Sequence, residues 1–137
     1  MKLEFLRDIT AGGLFPLAEP HNLLRLFDFT PAEAAALALA IQTKLVGADS
    51  PLHLHALPFI NPVNCTLDLE PSPNNRGIAL PDDGRSFHCY LTRKAYDTMA
   101  HLVDHFANPG HRLSGYHWLY DAQPDKIGLL LSRKGTW

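Results

Sequence analysis

The sequence has little net charge. Twelve Lys and Arg against 14 Asp and Glu leave a formal charge of −2 over 137 residues, and no run of Lys and Arg exceeds two. That argues against a nucleic-acid partner and against an anionic membrane surface. Cysteine is scarce: Cys65 and Cys89 form neither a CxxC pair nor a zinc-type spacing, so they read as reduced core thiols rather than a disulfide framework. No apolar run approaches the ~20 residues that a membrane helix needs. The opening stretch carries Glu4, Arg7 and Asp8 where a signal peptide needs an unbroken apolar segment. A cytoplasmic protein is expected.

The signatures of common chemistries are missing too. There is no GxSxG elbow around Ser86, Ser114 or Ser132, and no HExxH. Gly12-Gly13 is a turn rather than a phosphate-binding loop, and Asp82-Asp83-Gly84 fails the calcium-loop spacing. Neither cysteine has a recognisable base beside it. The balance falls against an enzyme.

What is present is ordinary globular material, 46% hydrophobic and 19% charged, sized for a single domain over 1–137. Residues 2–9 and 22–29 read as strands, separated by a loop rich in glycine and proline. The clearest signal is "TPAEAAALALAIQTKLVG". Thr30 is its N-cap, Pro31 takes the first helical position, and Glu33 completes a capping box. Ala34, Leu37, Ile41 and Leu45 make the apolar stripe, and Gly47 is expected to end the helix in a left-handed conformation.

Residues 51–57 alternate, as do 64–70, where Cys65, Leu67 and Leu69 point in and Thr66, Asp68 and Glu70 point out. A polar excursion spans 71–85, with a short strand at Ile78-Ala79-Leu80. Strand 86–91 then sets Phe87, Cys89 and Leu91 against His88 and Tyr90. Thr92 caps a second helix, which Pro109-Gly110 breaks. "GYHWLYD" and "KIGLLLS" form a terminal strand pair around an "AQPD" turn. The expected class is α+β, a mainly antiparallel sheet with two amphipathic helices.

A shift of 62 residues lays strand 2–9 on 64–71, strand 22–29 on 84–91, Thr30 on Thr92 and strand 52–57 on 114–119. The pattern suggests two pseudo-repeated ββαβ halves, 1–60 and 62–137, tested by whether strand order and direction agree.

Histidine marks the candidate sites. In "HLVDHFANPGH", His101 and His105 are four apart on a helix, with Asp97 four before His101. Such a row can reach one divalent metal, although its face reads as solvated. The buried side of that helix is read from Ala95, Met99, Leu102, Val103 and Phe106. His53 and His55 form an H-x-H pair facing water, with Leu52, Leu54 and Ala56 facing the core; the duplication would bring His117 near them. Tyr116, Trp118 and Tyr120 share a strand face, a stacking platform if exposed, but are expected inward because His117, Leu119 and Asp121 make a poor core. His111, Arg112 and Ser114 give the 107–115 loop anion affinity, and His111 and Arg112 join Tyr116 and Trp118 as candidate ligand contacts. Leu130 points away from Ile127, Leu129 and Leu131, so the last strand should be buried on both faces. A second subunit could supply the missing cover, which motivates a homodimer.

The expectation is a non-catalytic protein that binds a protein partner, without cofactor, nucleic acid or membrane. The alternative is a small enzyme or a ligand- or metal-binding protein that uses its histidines and the 71–85 and 107–115 loops.

Overall fold

The computed structural model describes residues 1–10, 12–14, 22–108, 115–121 and 127–134. Over these the chain is α+β, as expected. Its strands are β1 (Lys2–Leu6), β2 (Leu23–Phe27), β3 (Leu52–His53), β4 (Asn61–Pro62), β5 (Thr66–Pro71), β6 (Gly77–Ile78), β7 (Ser86–Leu91), β8 (Tyr116–Tyr120) and β9 (Gly128–Ser132). Its helices are α1 (Pro31–Ile41) and α2 (Arg93–Asp104). The strands form two sheets, ordered β4-β1-β2-β9-β8 and β3-β5-β7-β6. Both sheets are mixed: β1–β4, β2–β9 and β5–β7 pair in parallel and the other four pairs are antiparallel.

One apolar cluster joins both sheets and both helices. Leu3 and Phe5 of β1, Leu24 and Leu26 of β2 and Leu129 and Leu131 of β9 meet Leu67, Leu69, Phe87, Cys89 and Leu91 of β5 and β7. Phe5 and Phe87 touch across the two sheets, their ring centroids 4.6 Å apart. α1 adds Leu37 and Ile41, while α2 adds Met99 and Val103. The alternation read from the sequence puts these side chains inward, because consecutive strand residues point to opposite faces.

The start of α1 follows its sequence signals. Glu33 N donates to Thr30 Oγ1, and Thr30 N donates to Glu33 Oε2 at 2.7 Å. Its end does not. A π-turn over Gln42–Gly47 widens the last coil, and the left-handed residue is Asp49 (φ 51°), not Gly47. The N–H groups of Ala48 and Ser50 close the end of the coil on the Thr43 and Lys44 carbonyls, and Arg93 of α2 donates to the exposed Val46 and Gly47 carbonyls. The buried side of α2 is also shifted: Tyr96 and Ala100 are buried with Met99, Val103 and Phe106, whereas Ala95 and Leu102 lie at the margin. Tyr96 draws that face inward, its hydroxyl donating to the Cys89 and Glu70 carbonyls at 2.6 and 3.0 Å.

β1 and β2 are shorter than their apolar patterns. Asp8 and Asp28 follow them with φ of 55° and 52°, a conformation that short polar side chains tolerate and that ends extended chain. Strand 51–57 contracts to β3, followed by a 3-10 turn over Leu54–Ala56, and Ala56 is exposed rather than in the core. The short strand of the polar excursion is Gly77–Ile78, and Leu80 is exposed.

The order strand, strand, helix, strand occurs twice, as β1-β2-α1-β3 and β5-β7-α2-β8, with β6 inserted in the second run. The strand pairs differ in direction, antiparallel for β1–β2 and parallel for β5–β7. Strand direction therefore does not follow the 62-residue shift. Each helix also carries the chain from one sheet to the other, α1 into β3 and α2 into β8.

β8 presents the opposite face from the one expected. Leu119 is buried and His117 packs on Phe106, ring centroids 5.2 Å apart, while Tyr116 is exposed and Trp118 half-buried. A bulge between Trp118 and Tyr120 turns Tyr120 back onto the core. The end of α2 supplies the apolar surface that His117 and Leu119 lacked in the sequence. β9 is buried along its whole length, as its two-sided pattern implies. Leu130 sits on the outer face of its sheet between Arg25 and Trp118 and has no exposed surface in the single chain. Burying it requires no second subunit.

Candidate functional site

The outer face of the four-stranded sheet gathers histidines and carboxylates. β5 is its hub. Asp68 lies directly opposite His53 of β3 and His88 of β7, because β5 runs between those strands. The alternation that buries Leu67 and Leu69 leaves Asp68 and Glu70 outward, and burying Phe87 and Cys89 does the same for His88 and Tyr90. The 3-10 turn after β3 then brings His55 back beside His53, ring centroids 5.9 Å apart.

The contacts are short. His53 Nδ1 lies 2.8 Å from Asp68 Oδ1, and His55 Nδ1 is 3.5 Å from the same oxygen. His88 Nδ1 lies 2.6 Å from Glu70 Oε1 and 3.9 Å from Asp68 Oδ2. A carboxylate accepts hydrogen bonds and does not donate, so His53 and His88 donate through Nδ1–H. In the neutral ring the proton on Nδ1 leaves Nε2 as an acceptor for an incoming group. Tyr90 stacks on His88 at 6.1 Å, and the Arg76 guanidinium lies 4.3 Å from the Tyr90 ring centre. The face is open: His53 is 56% exposed and His88 43%, against 20% for Asp68 beneath them.

Next to it, where Thr66 and Ser86 pair, lies an open depression of about 350 Å3 lined by Pro62, Val63, Asn64, Cys65, Thr66, Arg85 and Ser86. Burial pushes the Cys65 thiol up to about 12, with Glu4 adding to the effect, so it is no nucleophile. Burial likewise raises Cys89 to about 12. Asp83 shapes the rim. It accepts from the Arg85 and Ser86 backbone N–H groups, and hydrogen bonds from the Ser86 side chain and from that backbone lower its carboxyl to about 2. The Asp82-Asp83-Gly84 run is thus a turn.

The helical histidine row stays on one exposed edge: His101 is 72% exposed and 3.8 Å from Asp97, and the His105 N–H donates to the His101 carbonyl where α2 ends. His105 begins a 3-10 turn and lies beside His117, 5.6 Å between ring centroids. Among the described residues no three His, Cys, Asp or Glu side chains form a group able to hold a metal ion. His53 and His55 do face solvent over buried Leu52 and Leu54, but His117 is on the other sheet, against α2. Tyr116 and Trp118 form an edge-to-face pair on the outer side of β8, 6.3 Å apart. His111, Arg112 and Ser114 lie outside the described residues, as does the turn at 122–125.

Sequence reasoning singled out His53 and His55 but missed Asp68, Glu70 and His88. The outward parity of those three was readable. Their meeting was not, since it depends on β3, β5 and β7 being neighbours. Among the described residues no helix is long and apolar enough to cross a membrane. No protein-family model matches the chain, and comparison with curated proteins and with solved structures returns no match.

Proposed function

We propose that this protein is a non-catalytic binding module whose recognition face is the outer side of the four-stranded sheet, and that its partner is a protein presenting a basic segment. The observation that carries the reading is the ring geometry: imidazoles given to Asp68 and Glu70 through Nδ1 offer Nε2 acceptors above two carboxylates. Lysine and arginine are donors without acceptors, so they complement such a face in both charge and hydrogen bonding. The face is open, with His53 and His88 about half exposed, which suits a protein surface better than a small substrate. Two copies of it would bring like charges together, so the partner is a different chain rather than a second subunit. Buried free thiols at Cys65 and Cys89 accord with a cytoplasmic setting.

The test is titration of 15N-labelled protein with a lysine oligopeptide at low salt. Expected are shift changes centred on β3, β5 and β7, and affinity lowered about tenfold in Asp68→Asn/Glu70→Gln. Perturbations scattered over the surface, or an unchanged double variant, would overturn the reading.

A second reading has its own observation. A histidine held by a carboxylate is the arrangement of a general base, and His88, held by Glu70, stands two residues along β7 from Ser86, which lines the depression. Small-molecule shifts confined to that depression would favour an enzyme.

A further inference from the structure

Resting on the proposed basic partner, we infer that the three imidazoles of the face make binding proton-gated: the partner is held when the rings are neutral and released when they are protonated. Two changes coincide on protonation. The first is in hydrogen bonding. With Nδ1 committed to Asp68 or Glu70, a neutral ring shows an Nε2 lone pair outward, whereas a protonated ring shows an N–H there. A lysine or arginine that used the lone pair then meets a donor. The second is in charge. Asp68 and Glu70 contribute −2 with neutral rings, and three protonated rings turn the same set to +1. The carboxylates keep their own ring contacts in both states, so the fold of the sheet does not oppose the change.

The groups that face one another come from every neighbouring segment. His53 belongs to β3, His55 to the turn after it, Asp68 and Glu70 to β5, and His88 and Tyr90 to β7. Arg76, just before β6, stands at the margin on Tyr90 and stays charged throughout, so it opposes a basic partner equally in both states. Histidine is the side chain whose charge ordinarily changes between about pH 5 and 8, so the gate is tested across that interval.

The experiment uses a fluorescent lysine oligopeptide, whose own charge is constant over this interval. Binding is measured at about pH 8 and about pH 5.5, in wild type and in His53→Gln/His55→Gln/His88→Gln. Glutamine keeps an N–H for the carboxylates but does not titrate, and circular dichroism checks that the variant is folded. Expected is a loss of about tenfold or more in the wild type and about twofold or less in the variant, where the protein's other histidines supply the remaining change. Equal losses in both proteins would overturn the gate and leave the basic-partner reading standing. Absence of binding by the wild type at the higher pH would overturn that reading, and the gate with it.

Discussion

The phenol of Tyr120 fills the space where a side chain at Gly77 would stand. A Cβ built on Gly77 falls 2.1 Å from Tyr120 Oη, and Gly77 itself has φ of +74°. Gly77 belongs to β6 and Tyr120 to β8, so the contact pins one edge of each sheet to the other. Gly77→Ala adds both a clash and backbone strain and should destabilise the fold by about 2–4 kcal/mol. Urea denaturation reads this directly. Adding Tyr120→Ala should recover the steric part only, and a Gly77→Ala protein as stable as wild type would refute the contact.

His88 passes over the residue directly opposite it, Asp68, and takes Glu70 on the diagonal, leaving Asp68 to His53 and His55. Long-range 1H–15N spectra should therefore show neutral His53 and His88 as Nδ1–H tautomers. Asp68→Asn should alter the His53 ring signals and spare those of His88, and Glu70→Gln should do the reverse. A common response of both rings to either variant would mean that the two carboxylates are shared differently.

The Tyr96 hydroxyl serves two carbonyls at once, Cys89 O and Glu70 O, from adjacent parallel strands. Tyr96→Phe removes the donor without changing shape and should cost about 1–3 kcal/mol, the usual penalty for stranding a buried acceptor. Thermal or urea unfolding measures it, and a change below about 0.5 kcal/mol would show that the carbonyls are satisfied without it.

Cys65 and Cys89 should resist thiol reagents in the folded protein, since burial raises both to about 12 and keeps the thiolate scarce at neutral pH. Both should react at once in denaturant. Rapid native labelling of Cys65, the cysteine that lines the depression, would show that its cover opens.

Hydrogen bonding to the N-terminal ammonium and to Thr30 N holds the Glu33 carboxyl below its ordinary range. A lowered carboxyl contributes stability above its unfolded value and loses it as pH falls through the folded one. Glu33→Gln should therefore be less stable than wild type near neutrality, with the difference closing in acid. Thr30→Ala should cost about 1 kcal/mol through the lost cap. A Glu33→Gln deficit that did not shrink on acidification would assign the effect to packing instead.

Local rules were legible in the sequence, and tertiary ones less so. Thr30, Pro31 and Glu33 act within one turn of chain, and the start of α1 follows them. The alternation of Leu67 and Leu69 with Asp68, or of Phe87 and Cys89 with His88, needs only the pleat, and each side chain faces as read. The left-handed position falls at Asp49 rather than Gly47 because the last coil widens into a π-turn, which the glycine signal does not encode. The alternation of β8 alone favours Tyr116 and Trp118 inward, because the surface that His117 and Leu119 bury against, α2 with Phe106, is not visible in it. The histidine–carboxylate face needed strand adjacency: β5 beside β7 in parallel, with β3 on its other side, brings Asp68 between His53 and His88. No spacing along the chain encodes that arrangement.

β9 lies between β2 and β8, with Leu129 opposite Leu24 and Leu131 opposite Leu26. On the ribosome, β2 is therefore complete roughly 100 residues before its second partner, β9, exists, a wait of roughly 5–20 s at ordinary rates of synthesis. Through that interval the nascent chain carries an open strand edge beside Leu24 and Leu26, the kind of surface that draws other unfinished chains. A chain ending before residue 128 leaves that edge open and should aggregate more readily than the full chain, as centrifugation of the two translation products would show.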